Sequence, residues 1–240
     1  MSVTQRQVSA LRAIVRDRRE PGRREKLRLE LRMASVIRAL FAAQRERVRA
    51  WAQTLKSIPD LPPGALDVDE AELLLVLIEG LTGGIALTAE QVRLDADWTR
   101  ANTRAVRWAR GYVGELIRNI NDTTRGVVRQ AVATYIETQG MTLDDLMRLL
   151  PFDAERALKI AVTETTRAFA HGQAEARAEL REQFPDVAVE TVWHTNNDDL
   201  VCDICGPLDG QTVDDYTLPP AHPNCRCWIT VNTRVERERS

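Results

Sequence analysis

The chain has 240 residues, of which 44% are hydrophobic and 28% charged, as is ordinary for a globular protein with one large or two small domains. The longest apolar stretch, Ala71 to Leu87, is interrupted by Glu72, Glu79 and the Gly83-Gly84 pair, so we expect no membrane contact. The first residues lack an apolar run followed by a small-residue cleavage site, which argues against a secretory signal and for a cytoplasm-like compartment.

The net charge of −2 is unevenly distributed along the chain. Residues 1–60 carry 15 Lys/Arg against 6 Asp/Glu, a net charge of +9, whereas residues 61–150 and 151–240 carry −4 and −7. A basic segment on an acidic body favours contact with a polyanion or an acidic protein surface. The alternative is a solvated helix face whose arginines pair with nearby glutamates. These three ranges are also the predicted domains: a basic amphipathic helical segment, a helical middle region and a C-terminal module.

Within the first range, the pattern predicts a helix from about Arg24, after the Pro21-Gly22 break, to about Leu55. Its apolar residues recur mostly at three- and four-residue steps: Leu29, Met33, Val36, Ile37, Leu40, Val48, Trp51 and Leu55. Arginines occupy the positions between them. The predicted partner-binding residues of this helix are Arg32, Arg38, Arg45, Arg49 and Trp51.

Residues 58–67 are rich in proline and predict a linker. A short apolar helix over Ala71–Leu81 should follow and end at Gly83-Gly84. Thr88 with Gln91 has the spacing of a capping box and predicts the start of a long helix through Leu116.

A separate helix is predicted over Thr123–Thr138. Thr142 with Asp145 indicates the start of a short helix, and Asp153 the cap of a long one through Ala176.

Beyond Phe184-Pro185 the pattern changes to short β-branched runs. Val187–Trp193 and Cys227–Val231 predict two strands, separated by a segment rich in Asp, Gly and Pro. The predicted fold is therefore mainly α with a small C-terminal β and cysteine-rich module, an α+β architecture.

All four cysteines lie in this module, with a histidine among them: Cys202, Cys205, His222, Cys225 and Cys227. The pattern is C-x2-C, a gap of 16 residues, then H-x2-C-x-C. Thiolates and imidazole at these spacings suit a tetrahedral Zn²⁺, for which there are five candidates and four positions. Disulfides and free thiols are the alternatives, and a reducing compartment favours the metal.

The predicted zinc site is structural, and we expect no catalytic residues and no enzyme. A catalytic zinc keeps an open coordination position beside an acid or base. A zinc deaminase also requires the motif H-x-E, and neither His194 nor His222 is followed by a glutamate two residues later. The alternative function is a metal-dependent, nuclease-like enzyme acting on nucleic acid, with Asp198, His222 and the cysteines at its centre. The chain contains only three histidines, which disfavours it.

The C-terminal module resembles that of Mu F-like minor head proteins of bacteriophages. The resemblance rests on W-x-T-x-x-D-x-x-V-C-x-x-C-x-x-L-D-G from Trp193 to Gly210 and on P-x-H-P-N-C-R-C from Pro220 to Cys227. Residues 157–168 are similar to the family's A-R-T-E-x-x-R-A helix, and residues 140–143 to its G-x-S element. The resemblance covers about residues 115–232. Val162 and Leu200 stand where the family usually has a basic residue.

This resemblance implies a structural minor capsid protein that associates with the portal, acts in head assembly and takes part in DNA packaging or ejection. The implied partners are the portal protein and other capsid or scaffold proteins, with DNA as a further candidate. The implied location is the virion, in the capsid interior or at the portal vertex, and the host cytoplasm during assembly.

The remaining motif residues have simpler expected roles. Glu164 and Arg167, three residues apart on a helix, predict a local ion pair. Asp198 and Asp209 are expected in turns, and Asp209-Gly210 has a hairpin-turn signature. Trp193 is expected to pack with Trp228 over the cysteines, and His171 to lie on a helix surface.

Overall fold

The computed structural model describes residues 20–54, 60–196 and 201–235. They form a helical body followed by an antiparallel two-stranded sheet, which confirms the predicted mainly α fold with a small C-terminal β module. The elements are α1 (Arg23–Ala52), α2 (Ala71–Val92), α3 (Thr99–Glu137), α4 (Leu143–Leu149), α5 (Ala154–Gln183), β1 (Val187–His194) and β2 (Trp228–Val235), with a 3-10 turn at Gly206–Leu208.

Helix α5 lies at the centre of the body and packs against α1, α2 and α3. Its buried face is built largely from alanines, so its neighbours can approach closely. The main core combines these alanines with larger side chains of α1 and α2. Representative core residues are Met33, Ile37, Phe41, Leu73, Leu77, Leu81, Ala157, Ala161, Ala168 and Ala176.

Helix α2 continues through Gly83-Gly84, so the predicted break there is wrong. The glycines serve packing instead. A Cβ on Gly84 would clash with the backbone carbonyl oxygen of Phe169, and a Cβ on Gly172 would clash with that of Leu81. Helices α2 and α5 therefore touch backbone to backbone, which only glycine permits at these two positions.

The predicted helix start at Thr88 is also wrong. Thr88 is buried inside α2, where its hydroxyl donates to the Gly84 carbonyl at 3.1 Å. The next helix, α3, starts at Thr99, whose N–H donates to the Asp97 carboxylate at 2.9 Å. It runs without interruption to Glu137, so the separate helix predicted over Thr123–Thr138 is its second half.

Among the described residues, α2 is long and apolar enough to cross a membrane by length and composition alone. Here it packs against α1, α3 and α5, with Leu73, Val76, Leu77 and Leu81 fully buried. A helix at the centre of a helical core has this same composition.

A second core joins the C-terminal half of α1 to α3 and α4. Trp51 packs here with Leu66, which lies in the described part of the predicted linker. That part is fixed to α1, because Gln44 donates to the Leu66 carbonyl at 2.7 Å and Arg47 to the Ala65 carbonyl at 3.0 Å. Leu55 and residues 58–59 lie outside the described residues.

Two capping predictions are confirmed. The Thr142 hydroxyl accepts from the Asp145 N–H, and the Asp145 carboxylate accepts from the Thr142 N–H. Asp153 caps α5 by accepting from the Arg156 N–H at 2.8 Å. Each residue satisfies a helix-end amide that has no partner within the helix.

His171 is not a plain surface residue. Its ring is half-buried and stacks on Trp108 with centroids 4.3 Å apart. Burial, together with the nearby Arg167 cation, lowers the pKa of His171 to about 4. The imidazole is therefore neutral at physiological pH and acts as a packing group between α3 and α5.

The register of the sheet corrects the expected tryptophan pair. Trp193 faces Ile229 across the ladder, and His194 faces Trp228. Neighbouring strand residues point to opposite faces, so Trp193 packs towards the cysteines while Trp228 stacks on His194 at 5.6 Å.

The helix crossing yields a stability prediction. Gly172→Ala should lower the free energy of unfolding by about 3 kcal/mol, because the added methyl cannot fit against the Leu81 backbone. Gly126→Ala is the matched control on α3, where nothing lies within 4 Å of the added Cβ. It should instead stabilise the helix by up to about 1 kcal/mol. Urea unfolding of both variants checks this, and similar losses in the two would contradict the close crossing.

Candidate metal centre

Residues 209–213, which lie between the two strands in the chain, fold back onto β1. The Gly210 N–H donates to the Trp193 carbonyl at 2.8 Å, and the Asp209 carboxylate accepts from the Thr195 N–H at 2.7 Å. Gly210 has a φ of 74°, which suits glycine. The predicted turn residues Asp209 and Gly210 therefore close a loop against the strand. Asp198 lies outside the described residues.

Two tight turns present the candidate ligands. In the first, the N–H groups of Cys205 and Gly206 donate to the Cys202 carbonyl at 3.1 and 2.9 Å. In the second, the Cys225 N–H donates to the His222 carbonyl at 3.1 Å. Each turn brings two ligand side chains to the same side of the backbone, as a shared metal ion requires.

All five candidate ligands are brought together. The Nε2 atom of His222 lies 3.1 Å from the Cys202 sulfur and 3.3 Å from the Cys205 sulfur. The sulfurs of Cys205 and Cys225 are 3.8 Å apart. Two groups of three ligands result, Cys202–Cys205–His222 and Cys205–Cys225–Cys227, and Cys205 belongs to both. All four cysteines are free, so the geometry contains no disulfide.

The hydrogen bonds of His222 fix which nitrogen faces the sulfurs. Its Nδ1 atom lies 2.9 Å from the Pro223 carbonyl oxygen, an acceptor, so Nδ1 carries the proton and Nε2 presents a lone pair. The same bond to Pro223 raises the pKa of His222. A backbone acceptor on the remote ring nitrogen is typical of metal-binding histidines.

The cysteines differ in how readily they ionise. A hydrogen bond from the Cys227 thiol is the main cause that lowers the pKa of Cys225 to about 5, and the same bond raises the pKa of Cys227. Burial raises the pKa of Cys205 to about 12. Several buried sulfurs at this spacing repel one another as thiolates, and a divalent cation would relieve the repulsion. The donor set is soft, as Zn²⁺ prefers.

The surroundings of the cluster favour a structural metal. Apolar side chains enclose the sulfurs: Trp193, Val201, Leu208, Leu218 and Ile229. No carboxylate is among the described residues that line the cavity at the cluster. Besides the cysteines, the ionisable side chains among the described lining residues are His222 and Arg226.

The second ligand turn is docked on the helical body. The Thr163 hydroxyl accepts from the Asn224 N–H at 2.8 Å, and the Thr166 hydroxyl donates to the Cys225 carbonyl at 3.3 Å. Both threonines lie on α5. Sequence reasoning missed them, because threonines inside a helix usually bond to their own backbone.

A buried charge network also anchors this turn. The Arg226 guanidinium lies 3.5 Å from the Glu30 carboxylate on α1, which Arg23 also approaches at 3.3 Å. Beside it, Lys26 pairs with Glu20 at 2.6 Å, and both are almost fully buried. Arg23, Lys26 and Glu30 lie on the basic helix that the sequence predicts, where no local signal marks them as buried.

The other predicted residues are placed as follows. Glu164 and Arg167 form the expected ion pair at 3.1 Å, and the Tyr112 hydroxyl donates to the same carboxylate at 2.6 Å. Of the predicted partner-binding arginines, Arg32 pairs with Glu79 of α2, and Arg49 pairs with Asp144 of α4 at 3.1 Å.

Arg38 donates to the Ala34 carbonyl of its own helix at 3.3 Å. Neither Arg38 nor Arg45 forms an ion pair with another residue that the structure describes.

The described residues define a mainly helical protein with a small two-stranded sheet and a Cys/His cluster that could hold a metal ion. Residues 72–230 match the family described as Phage Mu protein F like protein, and the chain belongs to this family. It is accordingly a phage head-morphogenesis protein associated with the virion. No curated protein and no solved structure matches the chain.

The buried network yields a second stability prediction. Glu30→Gln should lower the free energy of unfolding by about 3 kcal/mol, because Arg226 loses its buried carboxylate partner. Glu25→Gln is the control on the same helix, where the Arg28–Glu25 pair is largely exposed, and it should change stability by less than about 0.5 kcal/mol. Calorimetry or urea unfolding measures both, and equal effects would show that Glu30 is not a buried anchor.

Proposed function

We propose that the protein is a structural, non-enzymatic component of the phage head that associates with the portal vertex and acts in head assembly. The observation that carries the proposal is the family match, which spans α2 to β2 and includes the whole Cys/His cluster. The described lining of that cluster contains no carboxylate.

The face proposed for the portal contact is the outer side of α1. Arg38 and Arg45 are seven residues apart, which places them two turns apart on one side of the helix. Leu31 is seven residues before Arg38 and is 43% exposed. The residues of this outer face include Leu31, Ser35, Arg38, Ala39, Ala42 and Glu46, which are exposed, and Arg45, which is partly exposed.

A protein partner suits this face better than DNA does. Two guanidinium groups that have no ion-pair partner in the described part of the chain, set among small and apolar side chains, resemble a protein interface with a charged rim. DNA would be bound through its phosphates by the arginines alone and would not require the exposed Leu31 among them. The apolar stripe of the opposite side is already used, since Val36 and Leu40 pack against the main core and Trp51 against the second core.

The portal contact is tested by charge reversal. The full chain is co-expressed with the portal, capsid and scaffold proteins of the same phage, and its amount in purified procapsids is measured. Arg38→Glu combined with Arg45→Glu should reduce incorporation by about tenfold or more, because like charges would then meet an acidic portal surface. The control combines Arg110→Glu with Arg118→Glu, two exposed arginines of α3, and changes the net charge equally.

Equal incorporation of both double variants would eliminate the outer face of α1 as the contact. Absence of the wild-type protein from purified virions would overturn the head-assembly role itself. Binding of the wild type to duplex DNA that falls by orders of magnitude between about 50 and 200 mM salt, with no binding to the portal, would identify DNA as the partner.

We also infer that the cluster holds one structural Zn²⁺ per chain. Soft donors at these spacings close a tetrahedral site, and the free, unbonded cysteines argue against disulfides. Metal analysis of protein purified under reducing conditions should give about one equivalent of zinc, and less than about 0.2 equivalents with intact thiols would contradict it. Cys202→Ser should lose the metal and expose the C-terminal module to limited proteolysis, while the helical body stays resistant.

A further inference from the structure

A groove on the surface of the helical body lies between α3 and α5. Its lining includes Arg107, Trp108, Gly111, Tyr112 and Glu115 of α3 and Glu175 of α5. We propose that a second copy of this chain binds here and forms a two-fold symmetric dimer in which the two α3 helices cross antiparallel at Gly111. This contact goes beyond the proposed role in head assembly and does not depend on it.

The aromatic part of the groove is held in place by its own chain. The half-buried rings of Trp108 and Tyr112 stack with centroids 4.6 Å apart, and His171 stacks on Trp108 at 4.3 Å. The Tyr112 hydroxyl donates to Glu164 at 2.6 Å, and the Arg167 guanidinium lies 5.7 Å from the Tyr112 ring centroid. Tryptophan, tyrosine and arginine often dominate the affinity of protein interfaces, and side chains that are already ordered lose little freedom on binding. This composition therefore favours a protein partner.

Gly111 allows another backbone to approach α3 closely. It is exposed within the helix, and a Cβ added there would meet nothing within 4 Å. A glycine inside a helix is unfavourable relative to alanine, and packing within the described chain does not account for this one. Gly126 is equally open, so an open glycine alone indicates no partner. Gly111 differs because aromatic rings and charged side chains surround it in the groove.

Two exposed charges of opposite sign flank Gly111 symmetrically. Arg107 lies four residues before it and Glu115 four residues after it, so each is about 6 Å away along the helix axis. Within the described part of the chain neither forms an ion pair, whereas Arg104 pairs with Glu175 at 2.6 Å. A two-fold contact requires such an arrangement, because the same patch must supply both members of each pair.

An antiparallel crossing at Gly111 places residues at equal distances before and after it opposite one another. Arg107 of each copy then faces Glu115 of the other, which gives two ion pairs across the contact. Trp108 faces Gly114, which has no side chain and leaves room for the indole ring. The patch is therefore complementary to itself in both charge and shape.

Arg104 faces Arg118 in this arrangement, and the helical body limits their repulsion. In its own chain, Arg104 pairs with Glu175 at 2.6 Å and with Glu179 at 3.0 Å. These two carboxylates offset the charge of Arg104, so an uncompensated cation does not oppose the approach of Arg118 from the other copy.

The groove suits a second copy better than it suits nucleic acid. Stacked aromatic rings and arginines can bind a single-stranded nucleic acid, which needs a positively charged groove along its backbone. In this groove, the carboxylates of Glu115 and Glu175 lie in the same lining as Arg104 and Arg107. These carboxylates repel phosphates, whereas a second copy of the same patch offers a cation to Glu115.

Sedimentation of the full chain over a concentration series tests the dimer. We expect reversible dimerisation of the wild type. Arg107→Glu and Glu115→Arg should each weaken it about tenfold or more, because two like-charged pairs then face each other across the contact. The variant that combines Arg107→Glu with Glu115→Arg should dimerise within about threefold of the wild type, because the pairs form again with exchanged charges.

A second pair of variants tests the close approach at Gly111. Gly111→Leu should weaken dimerisation about tenfold or more, because the new side chains separate the two backbones. Gly126→Leu is the matched control at an equally open position of the same helix, and it should leave dimerisation unchanged. Circular dichroism checks that both variants keep the helical content of the wild type.

A chain that stays monomeric up to about 1 mM would overturn the proposal. A dimer that neither Arg107→Glu nor Gly111→Leu weakens would also overturn it, because its contact would lie elsewhere. Failure of the exchanged-charge variant to dimerise would refute the antiparallel pairing. A monomeric chain that binds a single-stranded oligonucleotide, and loses this binding in Arg107→Glu, would identify nucleic acid as the partner instead. These outcomes leave the portal contact untouched, since that contact is tested through α1.

Discussion

The backbone contact between α2 and α5 is the constraint on which the other features depend. Gly84 and Gly172 have no side chains to separate the helices, so the two form one closely packed platform. The sheet is bound to this platform from both sides. Gln91 of α2 accepts from the Val231 N–H at 3.0 Å, and Gln173 of α5 donates to the Ile229 carbonyl at 3.1 Å. The position of β2, and with it the second ligand turn, follows from how closely the two helices cross.

The buried charges around Glu30 help to fix the orientation of the second ligand turn, which contains His222 and Cys225. Removing carboxylates and guanidinium groups from water is costly, and their mutual attraction offsets the cost only in a fixed geometry. Arg226 lies between two cysteines of the cluster and reaches α1, so the chain between them is held from both sides. An incorrectly docked turn would leave Glu30 buried with fewer cations, so the network disfavours such docking.

Local signals in the sequence predicted local features well. The Thr142–Asp145 box, the Asp153 cap, the Glu164–Arg167 pair and the clustering of the cysteines with His222 all follow from spacing along the chain. The predictions from sequence were wrong or incomplete where a residue far away in the chain determines the local structure. Gly83-Gly84 has the composition of a helix end, and only the backbone of α5 explains why the helix continues there. Thr163, Thr166 and Glu30 likewise gain their roles from residues far away in the chain.

The pairing of β1 with β2 also has a consequence for loop entropy. His194 and Trp228 are opposite each other across the ladder, so the strands close the chain between them into a loop. Closing a loop costs conformational entropy, and strand pairing offsets part of that cost at the two ends of this one. A metal ion held by the cluster, as proposed, would divide the loop into shorter ones. Without that ion, the strand ends would stay paired while the chain inside the loop regained its freedom.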